Sequence, residues 1–336
     1  MSLLVTGGAG FIGGHFVRRR RRLFPDEPLV VLDALTYAGQ KASLDAVLGD
    51  PRVAFVRGDV CDGPLLSRVL AEHAIESIVH FAAETHVDRS IFDPLVFTRS
   101  NVLGTATLLE HARRAKVARF VHVSTDEVYG DLGPTDPAFT ERSPIAPRSP
   151  YAASKAGADH VVRAYVETYG FPAIITRASN NYGPFQLPEK LIPRLTMCAL
   201  ENRPLPIFGD GMNVRDWLHV DDHCGALDLV LSRGRDGEIY NVGGRCERPN
   251  LTIAKAILSA LGKPESLLQF VADRAGHDRR YALDDSKIED ELGFRRTRLL
   301  AEALPETVLW YRDHRAFVEA TRGTELADLQ KRGGSA

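Results

Sequence analysis

Short, uninterrupted apolar runs alternate with longer amphipathic stretches through the first half of the chain. Leu3-Leu4-Val5, Leu29-Val30-Val31-Leu32, Val53-Ala54-Phe55-Val56, Ile78-Val79-His80-Phe81 and Phe120-Val121-His122-Val123 predict five strands. Runs that are apolar at nearly every position, rather than every second one, suit strands covered on both faces of a parallel sheet. Between them the pattern predicts helices over 11–22, 64–73 and 101–114. Repeated strand–helix units with right-handed crossovers build a doubly wound parallel α/β sheet.

Further along, Ser149-Pro150-Tyr151 combines an N-cap with proline at the first helical position. The helix it opens is expected to run to Tyr169, with Gly170 as its stop, and Ala173-Ile174-Ile175 is a sixth strand. Prolines at 184, 188, 193, 204 and 206 then break the alternation, as in a smaller lobe over the carboxyl edge of the sheet. Asp216 to Val220 and Ile239 to Val242 are expected to return to the main sheet, so the two lobes interleave. The expected division is 1–178 for the first lobe, with returning segments over about 214–243, and 179–213 plus 244–330 for a smaller, interleaved α/β substrate lobe. Residues 332–336 are expected to fray.

Composition excludes more than it specifies. A net charge of -2 offers no global basic field for nucleic acid or an acidic membrane surface, and no apolar run is long enough to span a bilayer. The chain runs from Met1 straight into its first strand, which argues for the cytoplasm. Cys61, Cys198, Cys224 and Cys246 are scattered, with none of the spacings of a metal site, and are expected to be reduced thiols. The run of five arginines from Arg18 to Arg22 is expected to be the solvated end of the first helix, where cations face the negative pole of the dipole.

Candidate chemistry begins at Gly7-Gly8-Ala9-Gly10-Phe11-Ile12-Gly13, directly after the first strand. Glycines at 7, 10 and 13 permit a tight turn, close approach to a pyrophosphate and close helix–strand packing. The helix N-terminus then offers unpaired N–H groups to phosphates. Strand two ends in Asp33, a carboxylate able to accept both hydroxyls of an adenosine ribose and to repel a 2′-phosphate, which favours NAD over NADP. Asp59-Val60 is expected to bracket the adenine, and Phe81-Ala82-Ala83 to run beneath the ribose and nicotinamide. The first lobe is therefore expected to be Rossmann-like.

Two further features lie downstream. Tyr151 and Lys155, four apart on a helix, share one face. A neighbouring ammonium and a positive nicotinamide would both favour the phenolate, making Tyr151 a base for a substrate hydroxyl. Ser124-Thr125-Asp126-Glu127 ends strand five, where open α/β sheets bind ligands. Adjacent acids point different ways, so spacing alone leaves open whether both face a substrate or merely begin a helix.

Together these residues give a resemblance. The chain resembles the extended short-chain dehydrogenase/reductases and, within them, is similar to the dTDP-glucose 4,6-dehydratases from Thr6 to Ala282. The stretches that carry it are Asp33 to Gly39, Thr85 to Ser90, Thr125 to Gly130, Asn180 to Pro184, Pro188 to Pro193 and Asn213 to Trp217. The Thr-Asp-Glu triplet is the most specific, since related epimerases and decarboxylases generally lack it.

The resemblance implies a retained NAD that takes a hydride from C4 of a dTDP-sugar and returns it to C6. Tyr151, backed by Lys155, would take the C4 hydroxyl proton, Glu127 would remove the C5 proton, and Asp126 would protonate the departing C6 hydroxyl. Elimination needs a base at carbon and an acid at oxygen, hence two carboxyls in opposite protonation states. Thr125 would bond the sugar near C4. The resemblance also places Ala34, Leu35, Thr36, Thr85, Ser100 and Asn181 beside the cofactor. It puts Thr85, Asn180, Lys190, Leu191, Pro206, Ile207, Phe208, Arg215, Asn250, Asp273, Arg274 and His277 along the nucleotide-sugar. It implies no metal, and a homodimer through the 101–114 and 151–169 helices. The rival readings are an NAD-dependent nucleotide-sugar C4 epimerase and a catalytically silent NAD-binding regulator.

Overall fold

The computed structural model describes residues 2–273 and 278–321. Arg274, His277 and the expected fraying of 332–336 lie outside the described residues, as does the expected lobe end at 330. Twelve strands occur among the described residues. Six come first: β1 (Leu3–Thr6), β2 (Leu29–Asp33), β3 (Val53–Arg57), β4 (Ser77–His80), β5 (Arg119–Thr125) and β6 (Ala173–Ala178). They are followed by β7 (Asn180–Tyr182), β8 (Leu205–Phe208), β9 (Val214–His219), β10 (Ile239–Val242), β11 (Glu247–Pro249) and β12 (Leu268–Val271).

Seven of these form one parallel sheet in the order β10-β6-β5-β4-β1-β2-β3. The apolar runs explain why both faces are covered. Successive side chains of a strand point to opposite faces, and Leu3 and Val5 enter one core while Leu4 enters the other. Val79 and Ile78, and Ile174 and Ile175, divide in the same way. The chain leaves β1 for β2 and β3, then returns beside β1 as β4. That reversal opens a crevice at the carboxyl ends of β1 and β4.

The helix Pro150–Tyr169 starts and stops where its caps require: Ser149 accepts a hydrogen bond from Ala152 N, and Gly170 ends it in the left-handed region at φ 62. The expected 101–114 helix is regular only over Gly104–Arg114 and is preceded by a π-helical turn, Thr98–Leu103. Such turns interrupt helices at functional sites, and here Arg99 and Ser100 line the main crevice.

The second lobe holds a three-stranded sheet, β11-β9-β7, and a parallel pair, β12-β8, around their own apolar core. One of the two expected returns therefore differs. Ile239–Val242 joins the main sheet beside β6, whereas Val214–His219 pairs with β7 and β11. Its alternating side chains could serve either sheet; the antiparallel partner at Glu247–Pro249 is what the apolar pattern does not reveal.

The arginine run also differs from a solvated helix end. Arg19 and Arg20 pair with Asp228 at 2.7 and 3.1 Å, Arg20 also with Glu27, and Arg21 with Asp50 at 2.6 Å. Arg20 is buried. The cations thus bind the first helix, Phe11–Leu23, to the helix Val220–Arg233 and to neighbouring loops. No helix among the described residues is long and apolar enough to cross a membrane.

Candidate functional site

The crevice begins where β1 ends. Gly7 turns the chain at φ 68, and a Cβ there would lie 2.6 Å from the backbone nitrogen of Ala82, which follows β4. A Cβ on Gly13 would lie 2.3 Å from the Gly7 oxygen. Neither position accepts a side chain. Gly10 caps the helix Phe11–Leu23 without a side-chain hydrogen bond, and no acid occupies the first turn. The first N–H groups are therefore presented to the crevice without competition, as an anion site requires.

Asp33, at the end of β2, is fixed by two backbone donors: Ala9 N at 2.9 Å to one oxygen and Leu35 N at 2.8 Å to the other. Burial raises its pKa, and these N–H groups oppose the rise. Leu35 adopts φ 53 to make its bond, and a Cβ on Gly39 would lie 2.6 Å from the Asp33 oxygen. The Asp33 to Gly39 stretch is thus a loop shaped around one carboxylate. Each carboxylate oxygen keeps a second lone pair for a ligand hydroxyl.

The cavity over the carboxyl ends of the strands has a volume of about 520 Å³. It gathers Gly7, Gly10, Phe11, Ile12, Gly13, Asp33, Ala34, Thr36, Asp59, Val60, Phe81, Ala82, Ala83, Thr85, Ser100, Thr125, Asp126, Glu127, Tyr151, Lys155, Asn180, Asn181 and Lys190 into one wall. Leu35 is outside that wall: its side chain packs against the core. A larger cavity, about 830 Å³, lies beside β10 and the helix Pro150–Tyr169, but it contains none of the residues nominated for catalysis.

Thr125 ends β5 and begins a short 3₁₀ turn, Asp126–Tyr129, by accepting a hydrogen bond from Glu127 N at 3.3 Å. Asp126 is buried, and Glu127 is partly exposed to the cavity. Burial raises the Asp126 pKa well above the usual carboxylate range, reinforced by the charges of Glu127 and Asp216 and opposed by Arg215. One Asp126 oxygen accepts from Thr125 Oγ1 at 3.3 Å, and the other has no partner among the described residues. Asp126 is therefore shifted toward its protonated form.

Tyr151 lines the cavity together with Thr85 and Thr125. Its pKa is raised, first by burial and then by the Glu127 charge, with the Thr85 and Thr125 side chains opposing the rise. Lys155 Nζ donates to Val123 O at 2.8 Å. Burial draws its pKa down to about 8, with Asp159 holding it up. Behind the lysine, Asp159 accepts from Arg177 Nε at 2.9 Å and lies 3.5 Å from His122. Lys190 Nζ donates to the Thr85 carbonyl at 2.8 Å.

Of the residues expected along the nucleotide-sugar, Thr85, Asn180 and Lys190 line this cavity, whereas Leu191, Pro206, Ile207, Phe208, Arg215, Asn250 and Asp273 fall outside it. Ile207 packs into the core of the second lobe, while Pro206 and Phe208 alternate with it and face the other way. Arg215 is buried, donates to the carbonyls of Val214 and Asp278 at 2.7 and 2.9 Å, and stacks 4.6 Å from the Tyr281 ring centre. Asn250 binds Asn213 through its backbone, and its side-chain oxygen is buried without a partner among the described residues. Leu191 packs against the core of the second lobe. Asp273 lies beside Gly209, at the end of β8.

Several lining residues carried no sequence signal: Glu84, Arg99, Gln186 and His223. Only their position in the fold brings them here. The glycine cradle, the fixed Asp33 and buried polar atoms left unpaired along one wall, Ser124 Oγ, Asn180 Oδ1 and His223 Nε2 among them, fit a bound dinucleotide.

Comparison with known proteins agrees with this geometry. The family model described as GDP-mannose 4,6 dehydratase matches residues 4–307. The dTDP-glucose 4,6-dehydratase of Xanthomonas campestris pv. campestris (strain B100) is 50% identical over 334 residues, covering 94% of each chain. That of Streptomyces antibioticus is 50% identical over 324 residues, covering 95% of each. The crystal structure of a dTDP-glucose 4,6-dehydratase from Streptomyces venezuelae with NAD and TYD bound superposes with a TM-score of 0.92 at 54% identity, covering 96% of this chain and 100% of that one.

Proposed function

The chain belongs to the GDP-mannose 4,6 dehydratase family and, within it, to the dTDP-glucose 4,6-dehydratases, and from that premise we propose how its own residues convert dTDP-glucose to dTDP-4-keto-6-deoxyglucose. NAD held in the cavity would supply the hydride acceptor for C4 and the hydride donor for C6. Tyr151 takes the proton of the C4 hydroxyl. Glu127 then removes the C5 proton, which the adjacent ketone has made acidic, and Asp126 gives its proton to the C6 hydroxyl so that water leaves. Reprotonation at C5 completes a cycle with no net oxidation.

One observation carries this reading. Burial shifts Asp126 toward its protonated form, and Asp126, Glu127 and Tyr151 line the same cavity. An acid that holds its proton more tightly than usual, set beside a second carboxyl, is the arrangement an elimination needs. The NAD would lie on Gly7, Gly10, Phe11, Ile12 and Gly13, with Asp33 at its adenosine ribose and Ser100, Lys155 and Asn181 nearby. The 1–178 lobe, with the returning helix and strand of 220–242, would hold the cofactor. Lys190, Arg215, Asn250 and Asp273 of the other lobe would hold the nucleotide diphosphate.

The protein works as a homodimer in the cytoplasm. Exposed Phe92, Leu95 and Leu103 follow one another along the helices before Gly104–Arg114, and four free cysteines suit a reducing compartment. The deciding experiment incubates the purified enzyme with dTDP-, UDP-, CDP- and GDP-glucose and identifies products by mass. A dTDP product lighter by one water supports the reading; a product of unchanged mass epimeric at C4 overturns it.

A further inference from the structure

One side chain of the cavity wall has no part in the reaction as argued. His223 lies in the first turn of the helix Val220–Arg233 and is fully buried. Its neighbours fix its tautomer. Asn181 Nδ2 donates to the Ser179 carbonyl at 3.0 Å, which turns the amide oxygen toward His223 Nδ1, 2.9 Å away. An amide oxygen only accepts, so Nδ1 carries the proton. Burial keeps the ring neutral, drawing its pKa down to about 3. Nε2 is therefore a lone pair, and it has no hydrogen-bond partner among the described residues. A buried acceptor of this kind calls for a donor.

Its place in the sheet selects the donor. Asp33 and Asp59 follow β2 and β3, on one side of the Gly7 turn; Asn181 follows β6, beyond the strand that carries Thr125. Through Asn181, His223 is thus tied to the segment that follows β6. A pyrophosphate offers only acceptors. Ribose hydroxyls both give and accept, so they do not need a pure acceptor. The carboxamide nitrogen of a nicotinamide gives two hydrogens and accepts none, and it needs one.

We propose that His223 Nε2 accepts a hydrogen bond from the carboxamide N–H of bound NAD, retaining the cofactor and orienting its nicotinamide ring; this rests on the NAD-dependent reading above. Asn181 acts behind it as the positioning residue that fixes Nε2 as the acceptor nitrogen.

The test uses the purified holoenzyme and measures exchange of bound NAD against labelled NAD and against 3-acetylpyridine adenine dinucleotide, in which a methyl group replaces the amide nitrogen. Wild type should take up the analogue about tenfold less well than NAD, the worth of one neutral hydrogen bond. His223→Leu should exchange NAD about tenfold faster and accept both dinucleotides alike. His223→Gln, whose amide oxygen can accept, should recover part of the preference. A wild type that takes both equally overturns the inference without any variant, as does a folded His223→Leu that discriminates like wild type. A wild type that holds no NAD overturns the cofactor reading itself, and this inference with it.

Discussion

Lys155 Nζ donates to the carbonyl oxygen of Val123 at 2.8 Å, so the helix that carries Tyr151 is fastened to the strand that carries Thr125. The lysine lies between two structural elements of the site, and burial draws its pKa from 10.5 down to about 8. Charge at this position disappears as pH rises through about 8. If the ammonium supports the phenolate of Tyr151, kcat/KM for dTDP-glucose should fall on the basic side with an apparent pKa near 8. Lys155→Met should lose activity by about 10²-fold or more. The stability effect has the opposite sense. The unfolded chain keeps its lysine proton up to about 10.5, so folding releases a proton between about 8 and 10.5 and the cost of the buried charge fades as pH rises across that window. A rate profile flat to pH 9 would remove the charge from the mechanism.

Tyr151→Phe separates the base from the binding site. Tyr151 shares the cavity with Thr85 and Thr125, and burial together with Glu127 favours its protonated form. Removing the hydroxyl should leave NAD bound and the fold intact, while reduction of the cofactor on adding substrate slows by about 10²–10⁴. Stopped-flow absorbance of the reduced nicotinamide follows that half-reaction alone. Normal reduction with slow product release would transfer the base to another group.

Asp126→Asn tests protonation state by two independent readouts. In the folded chain Asp126 keeps its proton well above the usual carboxylate range, whereas the unfolded chain ionises near 3.8. Folding therefore takes up a proton over that interval, and this group makes the protein less stable as pH rises through it. Asparagine mimics the neutral acid and removes the dependence. The variant should match wild type in Tm at acidic pH and gain on it toward pH 8, while water elimination slows by about 10²-fold or more and substrate oxidation survives. Equal pH dependence of Tm in both proteins would mean that Asp126 is ionised in the folded state.

What the sequence reveals follows the range of the physics. Apolar runs, the Ser149 and Gly170 caps and the glycines at 7 and 13 are local signals, and each recurs in the structure at its expected place. The crevice lies at the carboxyl ends of the strands because the strand order reverses beside β1. Long-range facts were less legible. Val214–His219 joins the second sheet because its antiparallel partner lies more than two dozen residues away. The Tyr151 pKa moves upward because burial outweighs any nearby cation, and burial is a property of the packed chain. His223 has no motif, and only Asn181 and Ser179 reveal which nitrogen is free.

The proposed homodimer makes its own prediction. Phe92 is 83% exposed and Leu95 77%, on successive short helices, Val87–Phe92 and Pro94–Phe97, and Leu103 is more than half exposed just beyond. Large apolar side chains left in sequence on one segment cost solvation unless another surface covers them. The same segment continues into the π-helical turn that brings Arg99 and Ser100 to the cavity. A second copy on this face would therefore brace the site as well as bury the patch. Leu95→Asp should shift the mass in solution, measured by light scattering, from two subunits toward one. NAD retention should fall with it if the contact steadies Ser100. A wild type that runs as a monomer at micromolar concentration, or a Leu95→Asp variant that remains a dimer, would move the interface to another face.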